Sequence, residues 1–189
     1  MRNTWIRRIS AIRKDGVESA INLTCGLNCI IGASNTGKTR IAKTVEFACG
    51  GKELPFTDKT AYEIAQVTFV TNGGEVSLSR SIHVQNTIHV KSSNPMIVPG
   101  SYSVSSRAGK SINTVLLALL GVESTRRIAT NETYHTVAFT WNAIRHLMIV
   151  PEDQIGRARP SILFPKSTSL ATLTQSLSSL LVLVQDEKI

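Results

Sequence analysis

Apolar and polar residues alternate in two short bouts near the start of the chain, Trp5 to Ile12 and Ala20 to Thr24, separated by Asp15-Gly16. Period-two alternation on both sides of a turn dipeptide predicts a β-hairpin. A short apolar run follows, Leu27-Asn28-Cys29-Ile30-Ile31, of the kind that predicts a buried strand. The period then changes. Ile41, Val45 and Ala48 recur at helical spacing until Gly50-Gly51, which predicts a helix with a glycine stop. After a polar connection, Val67 and Phe69 alternate up to Asn72-Gly73, and Val76, Leu78, Ile82 and Val84 alternate on the return. Asn-Gly between alternating runs is a strong short-range hairpin signal. Ile88 to Val90 extends this meander by a third strand, while Pro95 to Arg107, rich in serine and carrying Pro99-Gly100, predicts a surface loop.

Ile112, Val115, Leu116 and Leu119 share one helical face over Ser111 to Leu120, with Ser111 placed to cap the helix and Gly121 to end it. Thr136 to Val150 is ambiguous in period, and Leu147-Met148-Ile149-Val150 is its best central-strand segment. The polar groups of Pro151-Glu152-Asp153-Gln154-Ile155-Gly156 then fall at the end of an apolar strand, where open α/β sheets hold ligands. Toward the end, Leu170, Leu173, Leu177, Leu180 and Val184 follow a three-four spacing, consistent with the start of a coiled coil or with an ordinary amphipathic helix. The pattern divides the chain into a body over 1–169 and a C-terminal helix over 170–189.

Between the first apolar run and the first helix, Gly32-Ala33-Ser34-Asn35-Thr36-Gly37-Lys38-Thr39 satisfies every position of G-x-x-x-x-G-K-[ST], the phosphate-binding P-loop pattern. The two glycines allow a tight turn that points successive N–H groups inward at phosphate oxygens. In such a loop Lys38 would reach the β- and γ-phosphates, the Thr39 hydroxyl would sit on Mg²⁺, and the helix would add its positive dipole end. Strand, glycine loop and helix form the context that the motif requires. Gly109-Lys110-Ser111 echoes the end of such a loop, but position 104 is Val where the upstream glycine is needed.

Composition adds three constraints. Lys plus Arg outnumber Asp plus Glu by 21 to 13, giving a formal charge of +8, and the pI of about 9.8 favours polyanionic partners, nucleotides or DNA. Cys25, Cys29 and Cys49 form an odd set lying on or beside apolar elements, which fits a reducing, cytoplasmic compartment and buried thiols better than a disulfide framework or a zinc site. His135 and His146 have no neighbouring ligands in sequence, and Arg107 to Lys110 reads as solvated charge. The basic start is not followed by an uninterrupted apolar stretch, so no signal peptide is expected. The most apolar tract, Leu177 to Val184, falls well short of the roughly 20 residues of a membrane span, so no membrane partner is expected.

The order hairpin, apolar run, Gly-x-x-x-x-Gly-Lys-Thr, helix, Gly-Gly resembles the N-terminal half of an SMC-like ABC-type ATPase head. These are the chromosome-maintenance and recombination-repair ATPases, RecF and RecN types included, and AAA family ATPases sharing that head. The resemblance is sharp over Trp5 to Ile12, Gly26 to Thr39 and Ile41 to Gly51, and looser over Asn113 to Gly121 and His146 to Pro160. It implies an α/β P-loop NTPase fold, an ABC-type N-terminal lobe with an antiparallel β layer beside the P-loop strand and helix. It also implies ATP and Mg²⁺ as cofactors, with Gly32, Ala33, Ser34, Asn35, Thr36, Gly37, Lys38, Thr39 and Arg40 on the nucleotide. Arg13 takes the place of a basic residue often found near it. Gln154 or Glu152 stands for the residue that holds Mg²⁺, beside Thr39, and the attacking water.

In that family a coiled coil leads to a C-terminal half carrying the signature, the Walker B acids and a switch histidine. No Leu-Ser-Gly-Gly-type signature and no apolar strand running directly into Asp-Glu occurs here. The implied protein binds ATP but needs its C-terminal half and a second head to hydrolyse it, in DNA repair, chromosome organisation or defence. Two alternatives stay open. One is a complete small P-loop NTPase or kinase with Glu152 or Asp153 as the metal-side acid; the other is a non-catalytic basic DNA-binding module. A GTPase reading of Asp153-Gln154-Ile155-Gly156 fails because no Asn-Lys-x-Asp follows it.

Overall fold

The computed structural model describes residues 4–57, 60–105, 108–122, 127–129 and 136–150. Two compact units divide the chain, Arg2–Leu119 and Leu120–Ile189, with Met1 grouped with the second.

In the first unit both predicted hairpins form. Strands β1 (Trp5–Arg13) and β2 (Glu18–Asn22) flank the Asp15-Gly16 turn, and β3 (Tyr62–Thr71) and β4 (Gly74–Ser81) flank Asn72-Gly73. Strand β5 (Thr87–Ser92) extends the meander as the alternation predicts. A sixth strand, β6 (Gly100–Ser103), lies inside the segment read as a loop. Its Tyr102 pairs with Ile88 and is buried, so one aromatic residue in register with the core outweighs the surrounding serines and prolines.

The six strands form one sheet in the order β2-β1-β3-β4-β5-β6, and every neighbouring pair is antiparallel. Ile9, Val67, Leu78 and Val90 stand opposite one another across four strands. Opposed residues share a face of a sheet, and all four are buried, so this row forms the floor of the core. The other face is stitched by polar pairs: Gln66 accepts from Ser79 at 3.0 Å, and the Thr68 and Ser77 hydroxyls meet at 2.7 Å. At the sheet edge Arg8 grips Glu18 through two N–H···O bonds of 3.1 and 2.8 Å and donates to Asn22 at 2.9 Å. The bond from Arg8 holds the Glu18 carboxyl below its ordinary range. Exposed as the pair is, it fixes hairpin register more than it stabilises the fold.

Helix α1 (Lys38–Ala48) covers the apolar face. Its Ala48 joins Ile9 and Val67, flanked by Ile41 and Val45, and its Phe47 joins Phe56, Ala65 and Ile82. The glycine stop closes the helix as a Schellman motif: Gly50 at φ +95° donates to Phe47 O at 3.0 Å, and Gly51 to Glu46 O at 2.8 Å. A buried arginine completes this end. Arg80 donates to Phe47 O and Gly51 O, each at 2.6 Å, and to Gln85 O at 2.6 and 2.9 Å, with its guanidinium 4.0 Å from the centre of the Phe47 ring. Burial pulls this guanidinium down to about 10, which leaves it charged at neutral pH.

Helix α2 (Ile112–Leu119) buries Ile112, Val115, Leu116, Leu117 and Leu119, and the Ser111 hydroxyl accepts from Asn113 N at 3.2 Å, the predicted cap. In the second unit, β7 (Arg127–Ala129) and β8 (Thr136–Ala138) form an antiparallel pair, and α3 (Trp141–Met148) buries Ile144. The central strand expected at Leu147 to Val150 is therefore absent: Leu147 and Met148 close α3. Trp141, Ile144 and Met148 recur at helical spacing, and that period prevails over the strand-like composition of the last four residues.

The expected α/β P-loop NTPase fold, an ABC-type lobe with a P-loop strand, is overturned among the described residues. Every pairing between the strands of its six-stranded sheet is antiparallel, and no strand includes Leu27 to Ile31. That run, read as buried, leaves Leu27 94% and Ile31 93% exposed. Its apolar composition requires a cover, and the described residues supply none.

The cysteines depart from expectation for the same reason. Cys25 and Cys29 are exposed, and only Cys49 is buried, where burial pushes its thiol up to about 12. Iodoacetamide is expected to label Cys25 and Cys29 on the folded chain and Cys49 only after denaturation, as peptide mass mapping will show. Native labelling of Cys49 at the same rate would contradict the packing under α1.

Candidate functional site

The loop from Gly32 to Thr39 leads into α1, with Gly37 as the cap residue at φ +89°, ψ 11°. Asn35 also takes a left-handed conformation, φ +63°. Asparagine and glycine are the residues that adopt it at least cost, so the sequence suits the turn. The Lys38 side chain folds back over the loop and donates to Gly32 O at 2.7 Å and Ala33 O at 2.5 Å, with Thr36 Oγ1 at 3.5 Å. Thr36 Oγ1 in turn donates to Ala33 O at 2.8 Å. The loop is thus closed around an ammonium.

Carbonyls at the start of the loop are occupied by that ammonium, while the amides are left over. Among the described residues no backbone hydrogen bond is donated by Ala33, Ser34, Asn35 or Gly37. All of these residues except Gly37 are exposed, so the donors lie open at the N-terminus of an 11-residue helix. Orphan N–H groups, a helix dipole and a flexible cation in one place suit a polyphosphate. Thr39 and Arg40 follow on the first turn of α1, both exposed. Gly32 to Arg40 are consecutive, so the chain itself keeps the candidate nucleotide-binding residues together.

Arg13 is placed differently. It ends β1 and pairs with Asp15 at 3.3 Å within its own hairpin turn. That acid gives it a local role in the turn. Glu152, Asp153 and Gln154, the alternative metal-side residues, lie outside the described residues, as do Arg107, His135 and the C-terminal helix over 170–189. Among the described residues no three His, Cys, Asp or Glu side chains gather as a metal site, and no helix is long and apolar enough to cross a membrane. The donors in hand fit the phosphates and, through Thr39, one position on Mg²⁺.

Sequence reasoning passed over two aromatic residues that reach this region, Phe56 and Tyr62, because no motif marks them. It also passed over Arg80, which its register gives away: a charge falling on the inward side of the alternation Val76, Leu78, Arg80, Ile82 requires buried partners.

No protein-family model matches the chain, and no curated protein matches it.

Proposed function

We propose that the chain binds ATP with Mg²⁺ at Gly32 to Thr39, as the N-terminal part of an SMC-like ATPase whose turnover requires a C-terminal half and a second head. The observation that carries the reading is the loop itself: Lys38 held by the Gly32 and Ala33 carbonyls, with the neighbouring amides unbonded at the start of α1. Water solvates those amides in the free chain, and phosphate oxygens replace it with charge-assisted bonds. With nucleotide bound, Lys38 would exchange the loop carbonyls for the β- and γ-phosphates, and the Thr39 hydroxyl would supply one ligand to Mg²⁺.

The uncovered apolar run supports the partner in this reading. Leu27 and Ile31 are exposed immediately ahead of the loop, so a covering segment buries apolar surface and adjoins the phosphates in one step. Such a segment is the natural source of the acids that complete hydrolysis. A complete small enzyme loses support, since the first half of the segment meant as the strand before Glu152 or Asp153, Leu147 and Met148, closes α3. DNA as a further partner rests on the formal charge of +8.

Calorimetric titration of the full chain with MgATP tests the proposal. Saturable binding is expected, with no phosphate release until a C-terminal half is supplied. Absence of binding by folded protein overturns the nucleotide reading. Lys38-dependent hydrolysis by the chain alone overturns the half-head reading and leaves nucleotide binding standing.

A further inference from the structure

One side chain closes a bend just ahead of the Gly32–Thr39 loop. Asn28 Oδ1 accepts from Thr24 N at 3.0 Å, Asn28 Nδ2 donates to Thr24 O at 2.8 Å and to Gly26 O at 3.0 Å, and Gly26 at φ +103° lets the chain reverse between them. Among the described residues no backbone–backbone hydrogen bond involves residues 25–31, so this amide holds the bend. Cys25 and Cys29 come directly after the two residues that it draws together, and both are exposed. We propose that Cys25 and Cys29 are a redox-modification site: glutathione disulfide closes them into an intramolecular disulfide, which locks the segment out of an extended conformation. The site is independent of what the Gly32–Thr39 loop binds.

A disulfide needs Cα atoms about 4.4–6.8 Å apart. Thr24 and Asn28, joined by direct bonds between the backbone of one and the side chain of the other, already lie on that scale, and their successors Cys25 and Cys29 share the approach. Cys49 does not compete: it is buried and its thiol is pushed up to about 12, so it yields almost no thiolate at neutral pH. The exchange balances in two steps. One of the exposed thiolates attacks a sulfur of glutathione disulfide and expels a glutathione thiolate; the other attacks the protein sulfur of that mixed disulfide and expels the second. Two protein thiols lose their protons and two electrons, and one glutathione disulfide becomes two glutathione thiols.

Closure has a mechanical consequence. Run as a strand, residues 25 to 29 would set their terminal Cα atoms about 13 Å apart, roughly twice the reach of a disulfide. The closed pair and a strand through Cys29 therefore exclude each other. Leu27, 94% exposed, lies inside the ring, so oxidation withholds it from any partner that takes the run as a strand and leaves Ile30 and Ile31 outside. Reduction releases it.

Incubation of the full chain in glutathione redox buffers, with peptide mass mapping after an acid quench, tests the site. The peptide that holds both cysteines is expected to lose one hydrogen from each thiol and carry no glutathione, to regain them with dithiothreitol, and to leave Cys49 reduced. Asn28→Ala, an exposed substitution that frees the bend, is expected to lower the ratio of disulfide to dithiol about tenfold at a fixed buffer composition. Thermolysin, which takes its substrate extended and cuts before leucine, reads the lock: cleavage between Gly26 and Leu27 is expected to be at least tenfold slower in the oxidised chain than in the reduced one. In the double variant Cys25→Ser, Cys29→Ser the oxidant is expected to leave that rate unchanged. Glutathione retained on both cysteines, or chains joined to one another in place of the internal bond, overturns the site. An unchanged ratio in Asn28→Ala overturns the bend as its cause, and equal cleavage of the two forms overturns the lock. Failure of the chain to bind MgATP would overturn the nucleotide reading alone, since no step here passes through it.

Discussion

Lys38→Ala is expected to weaken the proposed MgATP binding roughly a hundredfold and to leave the unfolding midpoint where it was. The first half follows from charge-assisted hydrogen bonds to phosphate oxygens, which contribute about 1.5–3 kcal/mol each; losing the ammonium removes about 3 kcal/mol in all. The second half follows from exposure. Lys38 is an exposed residue of the first helical turn, and its bonds to Gly32 O and Ala33 O are replaced by water when the side chain is truncated. Alanine is also the best helix former, so α1 tolerates it. Isothermal titration beside a thermal melt of the same preparation reads both halves. Unchanged affinity would mean that the loop carbonyls, not a phosphate, are the permanent partners of this lysine.

Arg80→Ala has the opposite signature: it costs about 3 kcal/mol of stability and touches no ligand. The Gly51 and Gln85 carbonyls lose their donor together, Phe47 O keeps only its bond from Gly50 N, and a buried unsatisfied acceptor costs about 1–3 kcal/mol. The Phe47 ring loses its cation as well. Urea unfolding is expected to show a lower midpoint with little change in slope. Arg80→Lys recovers only part of the loss, because one ammonium cannot span carbonyls that the guanidinium reaches from three nitrogens. A wild-type midpoint for Arg80→Ala would show that water satisfies the end of α1 unaided. Because α1 begins at the Gly32–Thr39 loop and ends on Arg80, the two substitutions probe opposite ends of one helix, one through the proposed binding and the other through stability.

The parts of the fold that were legible in the sequence are those whose local signal and final environment agree. Asn72-Gly73 sets a hairpin between alternating runs, Ser111 caps α2, and Gly50-Gly51 ends α1, each through atoms within a few residues of one another. Misreadings arise where environment departs from pattern. Leu27 to Ile31 has the composition of a buried strand but no cover among the described residues, so composition gave the wrong burial and misled the reading of Cys25 and Cys29 too. Tyr102 and Ile97 lie in a serine-rich stretch whose turn signals hide two buried core residues. Leu147 and Met148 belong to a helix that begins at Trp141, outside a window drawn around the apolar cluster alone. At the candidate site the eight-residue motif was readable because the pattern fixes particular residue types at particular spacings. The bend that draws Cys25 and Cys29 together was not, since it rests on the side-chain amide of Asn28, which no motif marks.

The bare ribbon of Leu27, Ile30 and Ile31 has a kinetic consequence. Two copies meeting through it do so at a rate that rises with the square of their concentration, whereas a segment tethered to the same polypeptide arrives at a rate independent of dilution. Crowded, untethered chains therefore stick to one another, and a chain joined to its own cover closes first.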